Sequence, residues 1–156
     1  MSNKYILAVA RPSQIEDIYR LSVLAFNEGS ETGTIVPEKM RGVVDSIVRS
    51  DHQLAVVAMS GGRAKGVILG HVDEHAYCEG LVASDLCIYV AKSLRGTNAA
   101  ADLVKAYADW CNRIPNLIGS TLGVSQIGPT TQYMVKLFED NGYSRSGLTY
   151  IKQVTA

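Results

Sequence analysis

Six consecutive residues, Arg95-Gly96-Thr97-Asn98-Ala99-Ala100, carry the strongest chemical signal in the chain. The apolar run Leu86–Val90 ahead of them predicts a strand, and the periodic run behind them predicts a helix over about Thr97–Asn112. A loop that joins a strand to a helix N-terminus is a ready anion site. The first backbone N–H groups of the helix have no intrahelical acceptor, and the helix dipole adds positive potential there. Small side chains at Gly96, Ala99 and Ala100 let phosphates approach the main chain, and Arg95 adds a fixed cation. The pattern suits a diphosphate-bearing cofactor. The competing reading is a plain helix start with a solvated Arg.

Two other groups of reactive side chains lead elsewhere. In His71-x-Asp73-Glu74-His75 an extended strand would place residues 71, 73 and 75 on one face, which raises a metal site. Three ligands at a strand edge lack the spacing of an established zinc motif, so a polar strand end is expected there and no metal. The cysteines, Cys78, Cys87 and Cys111, are odd in number and lack C-x-x-C spacing, which points to reduced thiols. Cys87 and Cys111 fit core positions, an argument against an acyl-cysteine intermediate.

The elements that must position the loop are read from periodicity and punctuation. Tyr5–Ala10 reads as a strand, and Arg11-Pro12-Ser13 opens a helix with Ser13 and Glu16 in the relation of a capping box. Ile15, Ile18, Tyr19, Leu21, Ala25 and Phe26 keep helical spacing, and Asn27–Val36 reads as a loop. Pro37 opens a second helix to about Arg49, with Met40, Val43, Val44, Ile47 and Val48 inward. Leu54–Met59 and Lys65–Val72 form a hairpin about Gly61-Gly62, and a polar loop with Glu74, His75 and Glu79 precedes the strand before Arg95. The helix after the loop turns Ala100, Leu103, Val104, Tyr107, Ala108 and Cys111 to one side. Thr121–Gln126 reads as a fifth strand, Pro129 starts a fourth helix that Gly142 ends, and Gly147–Val154 reads as a last strand. The order β-α-α-β-β-β-α-β-α-β has no internal repeat or linker and predicts one mixed α/β domain over residues 1–156.

The totals narrow the class. At 156 residues, with 47% hydrophobic and 19% charged residues, the chain is large enough for a core without staples. Fifteen basic residues balance fifteen acidic ones, which argues against nucleic acid and anionic membrane as partners. The apolar run Tyr5–Ala10 is too short for a signal segment or a membrane span, so a soluble, cytoplasmic protein is expected.

This order of elements, with its loop at 95–100, resembles the GNAT superfamily of acyl-CoA-dependent N-acetyltransferases. The family's cofactor loop reads Q/R-x-x-G-x-G/A. Arg95 fills its first place and Ala100 its sixth, while Asn98 stands where Gly is usual; Asn tolerates left-handed backbone better than most residues. The run Leu137-Phe138-Glu139-Asp140-Asn141-Gly142-Tyr143 is similar to the family's L-Y-x-x-x-G-F, with Phe138 in place of the Tyr. Ala10-Arg11-Pro12-Ser13 and Gly147–Lys152 look like the ends of such domains.

The resemblance implies a central mixed, mostly antiparallel sheet, splayed at the cofactor site and flanked by helices. It implies acetyl-CoA as co-substrate. Main-chain groups of Ile88 and Val90 would pair with the pantetheine arm, and amides across Arg95, Gly96, Thr97, Asn98, Ala99 and Ala100 would hold the pyrophosphate. Phe138 would touch the thiol side without acting as an acid, or simply pack in the core. Tyr133 lies five residues earlier but on another helix face. Asp85 stands near where relatives place a carboxylate base; as a strand-end residue it could equally be solvated, and Glu79 is a weaker candidate of the same kind. Ser125, closing the fifth strand, is a candidate proton relay. Glu28 and Glu31, in the loop that overhangs the acceptor site of this architecture, suit a cationic acceptor. The implied activity is direct acetyl transfer to a primary amine of a small molecule or protein, with a homodimer as one admissible assembly. The competing reading is a catalytically weak or inactive module that binds CoA or a protein partner; modification of a nucleobase amine is disfavoured by the neutral charge balance.

Overall fold

The computed structural model describes residues 4–29, 32–125, 129–150 and 152. A five-stranded sheet in the order β1-β2-β3-β4-β5 separates two helical layers. Its strands are β1 (Ile6–Val9), β2 (Leu54–Ser60), β3 (Arg63–Glu74), β4 (Leu81–Val90) and β5 (Leu117–Thr121). The first three pairings are antiparallel and the last, β4 with β5, is parallel. Helices α1 (Ile15–Glu28) and α2 (Pro37–Val48) lie on one face; α3 (Ala99–Cys111) covers the other, with α4 (Pro129–Asp140) packed beside it. Among the described residues no helix is long and apolar enough to cross a membrane.

Alternation along β2 and β3 builds the two cores. Val57, Val67 and Leu69 meet Ile18, Leu21, Val44 and Ile47 of α1 and α2, while Val56 and Ile68 meet Leu103, Tyr107 and Cys111 of α3. Gly61 and Gly62, at φ +60° and +75°, make the two-residue turn between β2 and β3, a conformation that matches the twist of the strands. Gly70 serves α3: a Cβ there would come within 3.0 Å of the Tyr107 ring and 3.1 Å of the Trp110 ring, so its absence lets α3 lie close on the sheet.

Several boundaries differ from the sequence expectation. At the N-terminus of α1 the Gln14 Oε1 atom accepts the Arg11 N–H at 2.7 Å, whereas Glu16 pairs with Arg41 at 2.8 Å. The Ser13–Glu16 box does not form, because a 3-10 turn over Pro12–Gln14 moves the start of the helix. Helix α1 continues through Asn27 and Glu28, read as loop in the sequence. Val43 is 41% exposed, since the buried stripe of α2 is Val44 and Ile47. Strand β4 begins at Leu81, ahead of the expected start at Leu86, because polar Ser84 and Asp85 interrupt an apolar run that main-chain pairing with β3 continues. Strand β5 covers Leu117–Thr121 instead of Thr121–Gln126; parallel pairing of Leu117 with Leu81 through Thr121 with Ser84 sets its place, and residues 122–125 are irregular. Gln126 lies outside the described residues. Within Gly147–Val154, the described residues 147–150 and 152 belong to no strand; the others lie outside the described set. Gly142 ends α4 as expected, at φ +85°, with the Tyr143 N–H returning to the Phe138 carbonyl at 3.0 Å.

Candidate active site

The site begins with a fork in the sheet. Strand β4 pairs with β3 along its whole length, but β5 pairs only with its first half, ending at Ser84–Thr121. From Asp85 to Val90 no described strand covers the outer edge of β4. A bulge sits at the crotch: Leu69 faces Cys87 and Gly70 faces Asp85, leaving Leu86 as the extra residue. The bulge sets the facing of the second half of β4, so that Ile88 and Val90 pack toward the α3 core and Tyr89 toward the α1 core.

Beyond the fork a 3-10 turn over Lys92–Leu94 leads into the loop. Leu94 and Ala99 are buried against Ala58 and anchor its two ends. Gly96 takes φ +85°, and nothing lies within 4 Å of where its Cβ would be, so the residue is required by backbone conformation and faces open space. Thr97 Oγ1 donates to the Leu94 carbonyl at 2.7 Å and accepts the Ala99 N–H at 3.2 Å. Helical pairing starts with the Asp102 N–H to the Asn98 carbonyl, so Ala100 and Ala101 present their amides at the mouth of α3. Asn98 itself has φ −78°. The left-handed tolerance expected of it is not used; Gly96 supplies the left-handed residue two positions earlier.

Arg95 bends back along β4. Its Nε donates to the Val90 carbonyl at 3.0 Å and a terminal nitrogen to Glu28 Oε2 at 2.6 Å, with the guanidinium 5.4 Å from the centre of the Tyr89 ring. The Tyr89 hydroxyl donates to Glu28 Oε1 at 2.6 Å. These two hydrogen bonds, Tyr89 first and Arg95 second, hold the Glu28 carboxyl below its usual range. Burial and then Glu28 push the Tyr89 phenol up to about 12, so it stays a donor. The sequence reading missed Tyr89, whose only signal was an aromatic between Ile88 and Val90.

Asp85 lies in the middle of β4, half-buried at the crotch, and not just ahead of the strand as expected. Its Oδ1 accepts the Gly123 N–H at 2.9 Å across the fork. Burial pushes its carboxyl up to about 6, against the opposing pull of that N–H. Its surroundings explain the burial. Asp85 shares a face with Gly70, under the Tyr107 and Trp110 rings. Tyr107 donates to the Thr121 carbonyl at 2.9 Å, and the Tyr143 and Ser120 hydroxyls lie 3.0 Å apart.

The other candidates fall into place around these. Ser125 is exposed and four residues beyond β5, not in it; a Cβ on Gly29 would come within 3.0 Å of its Oγ, so the 122–125 segment runs from Asp85 toward the end of α1. Phe138 is buried with Leu137 and Val104, a packing role, and Tyr133 is 46% exposed. Glu31 lies outside the described residues. Glu79 precedes β4 at the end of that strand remote from Arg95. The polar group at the end of β3 is divided: His71 contacts Asp73 at 3.5 Å, while His75 Nδ1 accepts the N–H groups of Tyr77 and Cys78. Among the described residues no three His, Cys, Asp or Glu side chains form a metal-binding group. Cys111 is buried, with its thiol pushed up by burial, and Cys87 is half-buried. Open concavities along β1 and at the β3–β4 turn include no residue of the uncovered Asp85–Val90 edge.

No protein-family model and no curated protein matches the chain. Solved structures do. A possible acetyltransferase from Clostridium difficile 630 matches with a TM-score of 0.70 at 16% identity, over 97% of this chain and 99% of the other. The structure of AAC(6')-Iy in complex with the bisubstrate analog CoA-S-monomethyl-acetylneamine gives a TM-score of 0.70 at 15% identity, over 98% and 99%. The ribosomal-protein-alanine N-acetyltransferase from Brucella melitensis biovar Abortus 2308 gives 0.67 at 13% identity, over 97% and 100%. At these identities the likeness is one of fold: the chain has the architecture of GNAT acetyltransferases over nearly its whole length.

Proposed function

We propose that the chain is an acetyl-CoA-dependent N-acetyltransferase that acts on a primary amine. The observation that carries this reading is the fork: a β4 edge from Asp85 to Val90 that no described strand covers and that leads, through the Lys92–Leu94 turn, into the Arg95–Ala100 loop at the mouth of α3. The residues present suit acetyl-CoA. The β4 edge at Ile88 and Val90 would hold an extended pantetheine arm once Arg95 Nε leaves the Val90 carbonyl, and the Ala100 and Ala101 amides at the mouth of α3, with Arg95, would hold the diphosphate. A left-handed glycine facing open space lets that group approach the backbone.

Acetyl transfer joins the amine nitrogen to the thioester carbonyl carbon and breaks the carbon–sulfur bond. The amine must arrive without its proton, and Asp85 is the base we assign, directly or through water. A carboxyl near 6 is largely ionised at neutral pH yet basic enough to take a proton effectively. Ser125 is the candidate relay, on the segment that also binds Asp85 through Gly123. Phe138 has no hydroxyl and is buried, so the leaving thiolate takes its proton from water or another group. The acceptor reading rests on Glu28 and Glu31 and favours a cationic amine on a small molecule or a protein. The free cysteines among the described residues agree with a reducing, cytoplasmic setting.

Phe138 in the core and Arg95 paired with Glu28 favour a second reading, a module that binds CoA without turnover. Calorimetric titration with acetyl-CoA, followed by an amine panel with thiol detection, separates the two. Binding with thiol release supports the enzyme, binding alone supports the module, and no binding overturns both.

A further inference from the structure

Arg95 lies across the edge that the donor arm needs. The Ala91 N–H donates to the Lys65 carbonyl at 2.7 Å, one step beyond the Gly66–Val90 pair, which puts Gly66 and Val90 at a non-hydrogen-bonded position of the ladder. Alternation then turns the N–H and C=O groups of Ile88 and Val90 away from β3, toward the side that no described strand covers. The Val90 carbonyl is taken there, because Arg95 Nε donates to it at 3.0 Å. We propose that Arg95 is a latch that selects the donor. It closes the Val90 acceptor in the free protein and opens when a diphosphate draws the guanidinium away, so the site favours thioesters of CoA over those of pantetheine carriers without a diphosphate. The inference rests on the acetyl-CoA reading above and adds to it a specificity for the nucleotide half of the donor.

The latch is built to hold against a neutral arm. A terminal nitrogen of Arg95 is fixed on Glu28 at 2.6 Å and the guanidinium lies 5.4 Å from the centre of the Tyr89 ring, which together steady Nε on Val90. A pantetheine arm offers only amides and hydroxyls in return, and these do not match a hydrogen bond from a charged donor. A diphosphate does, since its oxygens fit the planar donors of a guanidinium and bring more negative charge than a carboxylate. The way out is also open. The Arg95 side chain is 42% exposed, nothing lies within 4 Å of the Cβ position of Gly96, and the Ala100 and Ala101 amides stand beyond at the mouth of α3. The Nε bond to Val90 is the one that must break. Glu28 keeps its place and takes no new role, because the Tyr89 hydroxyl holds its other oxygen at 2.6 Å and the Lys92 charge acts on it as well.

The test compares two ligands on the wild type, Arg95→Ala and Arg95→Gln, each of verified fold. Affinity is read for CoA by calorimetry and for pantetheine, the same arm without its nucleotide, by ligand-observed NMR at millimolar concentration. Arg95→Ala removes latch and cation together. It is expected to bind pantetheine about 5-fold more tightly than the wild type, the scale of one hydrogen bond, and CoA about 10-fold more weakly. In Arg95→Gln the amide nitrogen stands as many bonds from the main chain as Arg Nε, so the Val90 bond is kept while the charge is lost. That variant is expected to match the wild type on pantetheine to within about twofold, and to bind CoA more weakly than Arg95→Ala by about the same 5-fold. Pantetheine bound no more tightly by Arg95→Ala than by the wild type, or by neither, overturns the latch. So does an equal gain in Arg95→Gln, which traces the effect to the lost charge. These outcomes leave the acetyl-CoA reading standing where the wild type binds CoA. Absence of CoA binding by the wild type overturns that reading and the latch with it.

Discussion

Two carboxylates flank β4, and the strand's two faces treat them oppositely. Asp85 faces the α3 side, where aromatic rings strip it of water and the Gly123 N–H donates to it. Glu28 meets the strand on the α1 side, where a phenol and a guanidinium donate to it. Desolvation pushes Asp85 up to about 6, and hydrogen bonding holds Glu28 below its usual range. The residue types are nearly the same; the environments divide the work. A carboxyl poised near neutral pH can exchange protons, and one kept ionised can only hold cations.

The largest expected effect tests the first half of that division. Asp85→Asn keeps the acceptor for the Gly123 N–H but removes the base. It is expected to lower kcat/KM at neutral pH by roughly 10²-fold and to recover part of the loss in alkaline buffer, where solvent supplies free amine. CoA affinity should hardly change. The wild-type profile should show an acid limb near pH 6 that this variant lacks. An equal loss at every pH would assign Asp85 to substrate positioning, and no loss would remove it from the reaction.

The same variant has an opposite effect on stability. The folded carboxyl binds its proton more tightly than the unfolded one, so the protein loses stability as pH rises from about 4 through about 6. A carboxyl moved from about 4 to about 6 corresponds to roughly 2–3 kcal/mol. Asp85→Asn is therefore expected to raise stability above pH 6 by up to about that amount in urea melts, with the gain fading toward pH 4. Equal stability at pH 8 would mean that the carboxyl is better solvated than its place under Tyr107 implies.

Gly96→Val separates donor binding from proton transfer. The φ of +85° strains any L side chain, and a β-branched one also crowds the open face of the loop. CoA affinity is expected to fall by about 10-fold or more, with the acid limb of the rate profile left near pH 6. Unchanged affinity in a folded variant would take the loop out of the donor site.

The smallest effect belongs to Glu28. Its depressed carboxyl contributes stability above the unfolded value, and that contribution is lost as pH falls through the folded one. Glu28→Gln is expected to destabilise the protein at neutral pH by under about 1 kcal/mol, because the pair with Arg95 is partly solvated. Opposite signs for Asp85→Asn and Glu28→Gln at pH 7 are the sharpest check on the comparison; a shared sign would break it.

The Arg95–Ala100 loop, the Gly61-Gly62 turn and the Gly142 helix end were all legible in the sequence, because each depends on sterics and amide pairing within a few residues. So was the α/β alternation, which side-chain periodicity dictates. Errors gathered where pairing partners are distant in sequence. Polar Ser84 and Asp85 hid the first half of β4, and Gly119 in the middle of Leu117–Thr121 weakened the signal for β5.

The sequence alone determined a strand–loop–helix with a small-residue loop and a neighbouring arginine, since local conformational preference decides such a segment; that Gly96 and not Asn98 takes the left-handed conformation came from the structure. Only tertiary structure decided where β5 stops pairing, and hence that a fork exists. It also decided that Phe138 is core, by packing it on Val104 of another helix. The roles of the carboxylates needed it most. Glu28 finds Arg95 across 67 residues and Asp85 finds Gly123 across 38. A carboxyl's proton affinity is set by the water it loses and the donors it gains, and both are supplied by residues that only the fold brings near.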